Sequence, residues 1–170
     1  NYTYDEFIGK LDFEMEKEFG KDYLCRLGRF ATEYDMQIQF IVFHDELDWS
    51  NDRNELLIVS LFFKEGHYSF SPQKYSLSEF KELIKSHSGG PVSIGSKGLI
   101  YGTSRLECSL SKTDSLYPGD ADLLFLNEDN KAVCILEFKK HTLSSPISEQ
   151  CFTNYYPRPD GRKYKRLALL

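Results

Sequence analysis

Two stretches decide how this chain is read. They are Tyr117-Pro118-Gly119-Asp120-Ala121-Asp122-Leu123-Leu124-Phe125-Leu126 and Val133-Cys134-Ile135-Leu136-Glu137-Phe138-Lys139. The apolar runs within them predict strands over Ala121 to Asn127 and Ala132 to Lys139. The polar Glu128-Asp129-Asn130-Lys131 between them predicts a turn. Asp122 lies six residues before Glu128 and Glu137 six residues after Lys131. An antiparallel hairpin with that symmetrical register brings the two carboxylates together at its open end.

Side chains alternate along a strand, so Glu137 and Lys139 share a face and Phe138 is expected to be buried opposite. Opposite charges closing so apolar a run are costly unless they meet a partner or a metal. Two hard carboxylates suit Mg²⁺ or Mn²⁺, which prefer oxygen donors and retain water for substrate phosphates. Such a metal polarises a phosphate and acidifies a bound water. Lys139 on the same face is placed to orient that water or to stabilise charge building on the phosphate.

Pro118-Gly119-Asp120-Ala121-Asp122 followed by Glu137-Phe138-Lys139 resembles the signature of the PD-(D/E)XK nuclease superfamily, over roughly residues 76 to 156. The resemblance implies an α/β fold with a central mixed sheet flanked by helices, restriction-endonuclease-like, and metal-dependent phosphodiester hydrolysis. It implies Asp122 and Glu137 as metal ligands and Lys139 as the catalytic lysine, with Asp120 competing for Asp122's role. An additional acid from the preceding helix points to Glu82, with Glu79 as its rival and a solvated helix face as the plain alternative. The Gln-x-x-x-Tyr pattern of the exonuclease-like branch is only approached: Gln150 is followed by Tyr155 and Tyr156.

Working outward, Lys140 and His141 extend the second strand, and His141 returns to the face of Glu137. Residues 147 to 156 predict a helix that Pro157 and Pro159 end. Residues 158 to 166 carry Arg158, Arg162, Lys163, Lys165 and Arg166 against Asp160 alone. Arg162, Lys163 and Arg166 are candidates for the phosphate backbone and Tyr164 for stacking on a base. A basic surface helix completing the fold is the equal alternative.

Toward the N-terminus, residues 3 to 18 predict a helix capped at Thr3, with Phe7, Leu11 and Met15 at helical spacing. Met36 to His44 and Glu55 to Phe63 predict a hairpin across Trp49 to Asn54. Leu77 to His87 predicts a second helix, with the capping box Ser76-x-x-Glu79 and Phe80, Leu83 and Ile84 on one face. Leu99 to Leu110 is read as a further strand. Gly95-Ser96-Lys97-Gly98 lacks the spacing of a nucleotide-binding loop and is read as a turn. A single nuclease-like domain is expected over 1–170: residues 1–70 form an added helix and hairpin, and 76–170 the core of a longer chain.

The 170 residues suffice for a core without disulfides or structural metal. With 41% hydrophobic, 28% charged and 15% aromatic residues, the composition is that of a globular domain. Net charge is −5, which disfavours a protein built mainly to grip duplex DNA, so phosphate contacts are expected near the C-terminus. Cys25, Cys108, Cys134 and Cys151 make no C-x-x-C pair, and His44, His67 and His87 complete no zinc spacing with them. Cys134 is read as a small buried thiol. A reducing intracellular compartment, cytoplasmic or nuclear, is expected. No run reaches the roughly 18 apolar residues of a membrane span.

The expected function is a Mg²⁺- or Mn²⁺-dependent nuclease whose partner is nucleic acid, DNA ahead of RNA. The alternatives are an inactive module of the same fold that binds nucleic acid or protein, and a hydrolase of another phosphate ester.

Overall fold

The computed structural model describes residues 3–88, 90–91, 94, 104–115, 123–136, 146–154, 156, 161, 164–165 and 168. The chain divides into two compact units, Asn1–Tyr117 and Pro118–Leu170.

The first unit opens with two short helices, α1 (Tyr4–Ile8) and α2 (Leu11–Phe19), where the sequence predicts one. Thr3 caps α1 in a full capping box with Glu6. The break falls at Gly9-Lys10, where the Lys10 amide bonds back to Phe7 O at 3.0 Å and Lys10 leaves helical geometry (φ −125°, ψ 20°). Gly20, at φ 81°, turns the chain into α3 (Lys21–Glu33), an element absent from the sequence reading. Its buried Leu24, Gly28 and Ala31 recur at helical spacing. The absence of a side chain at Gly28 has a packing reason: a Cβ there would lie 2.8 Å from Phe63 Cβ.

Three antiparallel strands follow, β1 (Ile38–Val42), β2 (Glu55–Lys64) and β3 (His67–Ser76), in the order β1-β2-β3. The hairpin expected from β1 and β2 forms, with Phe40 opposite Val59. β3 is a second unexpected element. It is joined to β2 by Glu65-Gly66, both at positive φ (52° and 85°), the pairing of a tight hairpin turn. Pro72 is tolerated in β3 because the strand lies at the sheet edge, where one row of amides has no ladder to serve.

Alternation sorts the sheet's side chains onto two faces. Leu57 and Val59 face Leu11, Met15 and Leu24 of the N-terminal helices. Leu56 and Ile58 face Trp49, Leu77, Phe80, Ile84, Leu106 and Leu110. The unit is therefore a three-layer sandwich, with α4 (Leu77–His87) and α5 (Arg105–Leu110) opposite α1 to α3. α4 has the predicted bounds and capping box: Ser76 Oγ accepts the Glu79 amide and Glu79 returns to the Ser76 amide at 2.7 Å.

At Arg105–Leu110 the strand expected over Leu99 to Leu110 is corrected to a helix. Leu106, Cys108 and Leu110 alternate as a strand would, but Leu106 and Leu110 are also one helical turn apart. Burial of both in the same core, with Ser104 capping, decides for the helix. The Asp45 carboxylate accepts the Arg105 amide at 2.6 Å, and Ser109 Oγ donates to Trp49 O at 2.7 Å, tying α5 to the loop between β1 and β2.

The second unit contains β4 (Leu123–Leu126) and β5 (Ala132–Leu136), the predicted antiparallel hairpin. Its turn runs Asn127 to Lys131, closed by Asn127 N to Lys131 O at 2.9 Å, with Asn130 in the left-handed region at φ 63°. The helix expected over 147 to 156 is corrected to two single 3₁₀ turns, Ile147–Glu149 and Phe152–Asn154. Gln150 between them is extended (φ −83°, ψ 133°), which stops a continuous helix. The protein is thus a mixed α and β chain whose described ladders are all antiparallel, in one three-stranded and one two-stranded sheet. Among the described residues no helix is long and apolar enough to cross a membrane.

Candidate metal centre

The open end of the β4–β5 hairpin is where the sequence concentrates its chemistry. Leu123 pairs with Leu136, Leu124 with Ile135 and Phe125 with Cys134. These are the partners that counting outward from the turn predicts. The ladder departs from the count only next to the turn, where Leu126 pairs with Ala132 and Val133 bulges out. The bulge leaves the register at the far end intact.

Leu123, Phe125, Cys134 and Leu136 are all exposed, while Leu124, Leu126 and Ile135 are half-buried. The expectation that Cys134 is a buried thiol is therefore corrected. It stands opposite Phe125 on the exposed face, and an apolar run around a cysteine does not by itself decide which face is covered. All four cysteines are free thiols.

Asp120, Asp122, Glu137, Lys139, Lys140, His141, Arg162, Lys163 and Arg166 lie outside the described residues. So do Phe138, Tyr155, and the chain from 99 to 103 that the sequence reading assigned to a strand. Asp122 is the residue that precedes Leu123 in sequence, and Glu137 the one that follows its partner Leu136.

Three other candidates are described. Glu82 sits on α4 of the first unit, exposed, 2.5 Å from Lys85 Nζ, which also reaches Asp114 at 3.6 Å. The Lys85 ammonium is held above its ordinary pKa first by its bond to Glu82 and then by Asp114. Its rival Glu79 serves the helix cap, which holds its carboxyl below the usual range. Gln150 is half-buried and closes the first 3₁₀ turn, its amide bonding to Ile147 O at 3.0 Å. Tyr164 packs its ring edge-on against Phe152 at 4.9 Å and Tyr156 at 6.5 Å. No group of three or more His, Cys, Asp or Glu side chains among the described residues is arranged to hold a metal.

Two features escape the sequence reading. One is a cleft of about 490 Å³ in the first unit between α2, α3 and β3, lined by Asp12, Glu16, Lys21, Cys25, Tyr68 and Phe70 among others. There the Tyr68 hydroxyl donates to Glu16 Oε1 at 2.6 Å, and Lys21 lies 3.2 Å from the same carboxylate. Burial, then the bond to Glu16, pushes the Tyr68 phenol up, while that bond holds the Glu16 carboxyl down. Tyr68, Glu16 and Lys21 thus satisfy one another. The alternation of Tyr68 and Phe70 is the signal that could have found its β3 wall. The other feature is the aromatic cluster of Phe152, Tyr156 and Tyr164, in which the sequence marks Tyr164 for stacking and Tyr156 only through the approximate Gln-x-x-x-Tyr pattern. Beside it, the exposed Cys151 thiol is held below its ordinary pKa first by the Thr153 hydroxyl at 3.0 Å.

No family model, curated protein or solved structure matches this chain.

Proposed function

We propose that this chain is a divalent-metal-dependent nuclease whose site forms at the open end of the β4–β5 hairpin, with Asp122 and Glu137 as ligands and Lys139 as the catalytic lysine. The single observation that supports this most is the register. Leu123 and Leu136 are partners, and their outward neighbours in sequence are the two carboxylates. Continuing the ladder by one step would pair Asp122 with Glu137. Alternation would then set both on the half-buried face of Leu124 and Ile135, with Lys139 one repeat further on the same face. The donor set fits the group: two hard oxygen ligands suit Mg²⁺ or Mn²⁺ better than a soft metal.

A bound Mg²⁺ or Mn²⁺ supplies Lewis acidity toward the phosphate and acidifies a water. The protein's own residues do the rest. Asp122 and Glu137, the sequence neighbours of the paired Leu123 and Leu136, would hold the metal, with Asp120 two residues before Asp122 as a reserve ligand. The Lys139 ammonium orients the attacking water by hydrogen bonding and offsets charge building on the phosphate oxygens. Lys140, His141, Gln150 and the cations Arg162, Lys163 and Arg166 are assigned to the nucleic-acid backbone, DNA ahead of RNA. On this reading the second unit belongs to a restriction-endonuclease-like core.

The test is cleavage of labelled single- and double-stranded DNA and RNA with Mg²⁺ or Mn²⁺, alongside calorimetric titration of Mn²⁺. Cutting should require metal, stop with EDTA and be lost in both Asp122→Ala and Lys139→Ala. Mn²⁺ binding should be lost in Asp122→Ala and kept in Lys139→Ala. A folded protein that neither cuts any substrate nor binds Mn²⁺ sinks the proposal and leaves a binding module of the same fold as the working reading.

A further inference from the structure

We propose that Phe152, Tyr156 and Tyr164 form a stacking surface for unpaired bases, so that this chain takes single-stranded nucleic acid. The catalytic meaning of that preference rests on the nuclease reading, but the binding itself does not.

The geometry starts from a backbone bond. The Tyr156 amide donates to Phe152 O at 3.0 Å, which sets the two side chains one turn apart on the same side. Their rings stack at 5.3 Å with 13° between planes. Tyr164 closes the cluster edge-on, 71° to Phe152 and 75° to Tyr156. A cluster serving only as a small core would cover its own rings. Here Phe152 keeps 56% of its surface exposed, and no residue of its 3₁₀ turn is buried. An open ring next to a parallel one offers a flat π-face, and every base has a matching face whatever its sequence.

Charge selects the occupant. The first unit holds 19 of the chain's 26 acids, and residues 118–170 hold only seven of them against eight of the 21 Lys and Arg. Five of those eight cations fall between 158 and 166 in sequence, around Tyr164, and Lys165 is exposed. Exposed aromatics alone would suit any apolar partner. Aromatics in a segment this rich in cations match a polyanion carrying planar groups, which describes a single strand. A duplex already stacks its bases on one another and presents free base faces only at its ends.

Binding of the full chain to labelled single-stranded DNA, single-stranded RNA, an abasic strand of equal length and a duplex closed at both ends by base-free linkers decides the matter, read by fluorescence anisotropy in EDTA so that nothing is cut. Single strands should bind more tightly than the abasic strand and the duplex, and the DNA and RNA arms show which sugar is preferred. Phe152→Ala should weaken single-strand binding roughly five- to 150-fold while leaving abasic binding unchanged. Phe152→Trp, which retains a ring if the alanine variant fails to fold, should keep binding and show emission quenched by natural but not by abasic strands. Equal binding of natural and abasic strands, tighter binding of the duplex, an unaffected Phe152→Ala, or no binding at all overturns the proposal. The two readings fail separately. Single-strand binding without Mn²⁺-dependent cutting removes the nuclease and keeps the stacking surface, whereas cutting without discrimination against abasic strands does the reverse.

Discussion

The two units use apolar side chains in different ways. In the first, Leu24, Leu56, Leu57, Val59, Leu77 and Leu110 are wholly inaccessible, because helices cover both faces of a three-stranded sheet. In the second, Leu123, Phe125, Val133, Leu136 and Phe152 are each more than a third exposed. β4 and β5 are no less apolar than β2, yet among the described residues of the hairpin only the turn residue Asn130 is buried. Hydrophobic composition specifies a strand, but only a facing layer turns it into stability. A two-stranded hairpin by itself is marginal in water.

The largest effect that could break this contrast is a cavity in the first unit. Leu57→Ala, from a fully buried position between α2, α3 and β2, should cost about 2–5 kcal/mol. Urea unfolding followed by the emission of Trp49, which is 2% exposed in the same unit, measures it directly. A loss below about 1 kcal/mol would mean that the sandwich is not the cooperative body described.

A smaller effect belongs to the helix cap. Ser76→Ala removes the acceptor for the Glu79 amide and should cost about 1 kcal/mol. It also carries a pH signature. The cap holds Glu79 below its usual carboxyl pKa of 4.5, with the backbone bond at Ser76 as the largest cause. A carboxyl depressed in the folded state contributes stability that is complete above its unfolded pKa and is lost as pH falls through the folded value. The wild type should therefore lose more stability than Ser76→Ala between about pH 5 and pH 3. Because Ser76→Ala keeps the backbone amide that is the largest cause, the difference reads the hydroxyl's share alone, and parallel acid limbs would remove the hydroxyl as a cause.

The smallest effect should come from the hairpin. Leu123→Ala, at a position 42% exposed, should shift stability by less than about 1 kcal/mol and leave the Trp49 transition in place. Hydrogen exchange of the 123–136 amides would then report any local loosening. A penalty rivalling that of Leu57→Ala would show that the second unit has a core of its own and would collapse the comparison.

Legibility in the sequence followed the range of each signal. α4 was readable to the residue, because its cap, its acid three positions on and its Phe80-Leu83-Ile84 stripe all lie within eleven residues. The β4–β5 register was readable because a short turn and a simple count set it. α3 and β3 were missed although each carried the right period. In α3 the stripe of Leu24, Gly28 and Ala31 contains a glycine and an alanine, and in β3 Pro72 interrupts the alternation of Tyr68 and Phe70. The aromatic cluster is half-legible: Tyr164 stands out for its charged neighbours, while Phe152 acquires significance only once its ring stacks on Tyr156.

By itself, then, the sequence determined what depends on a few consecutive residues: caps, turns and strand pairing across a short loop. The tertiary structure alone decided the rest. It made Arg105–Leu110 a helix by burying Leu106 and Leu110 in one core, left Cys134 exposed, and packed α4 against the sheet of the first unit. The physical reason is that torsional preference and local hydrogen bonding act within a turn or two of chain. Burial is instead a relation between residues far apart in sequence, and it exists only once the layers have met.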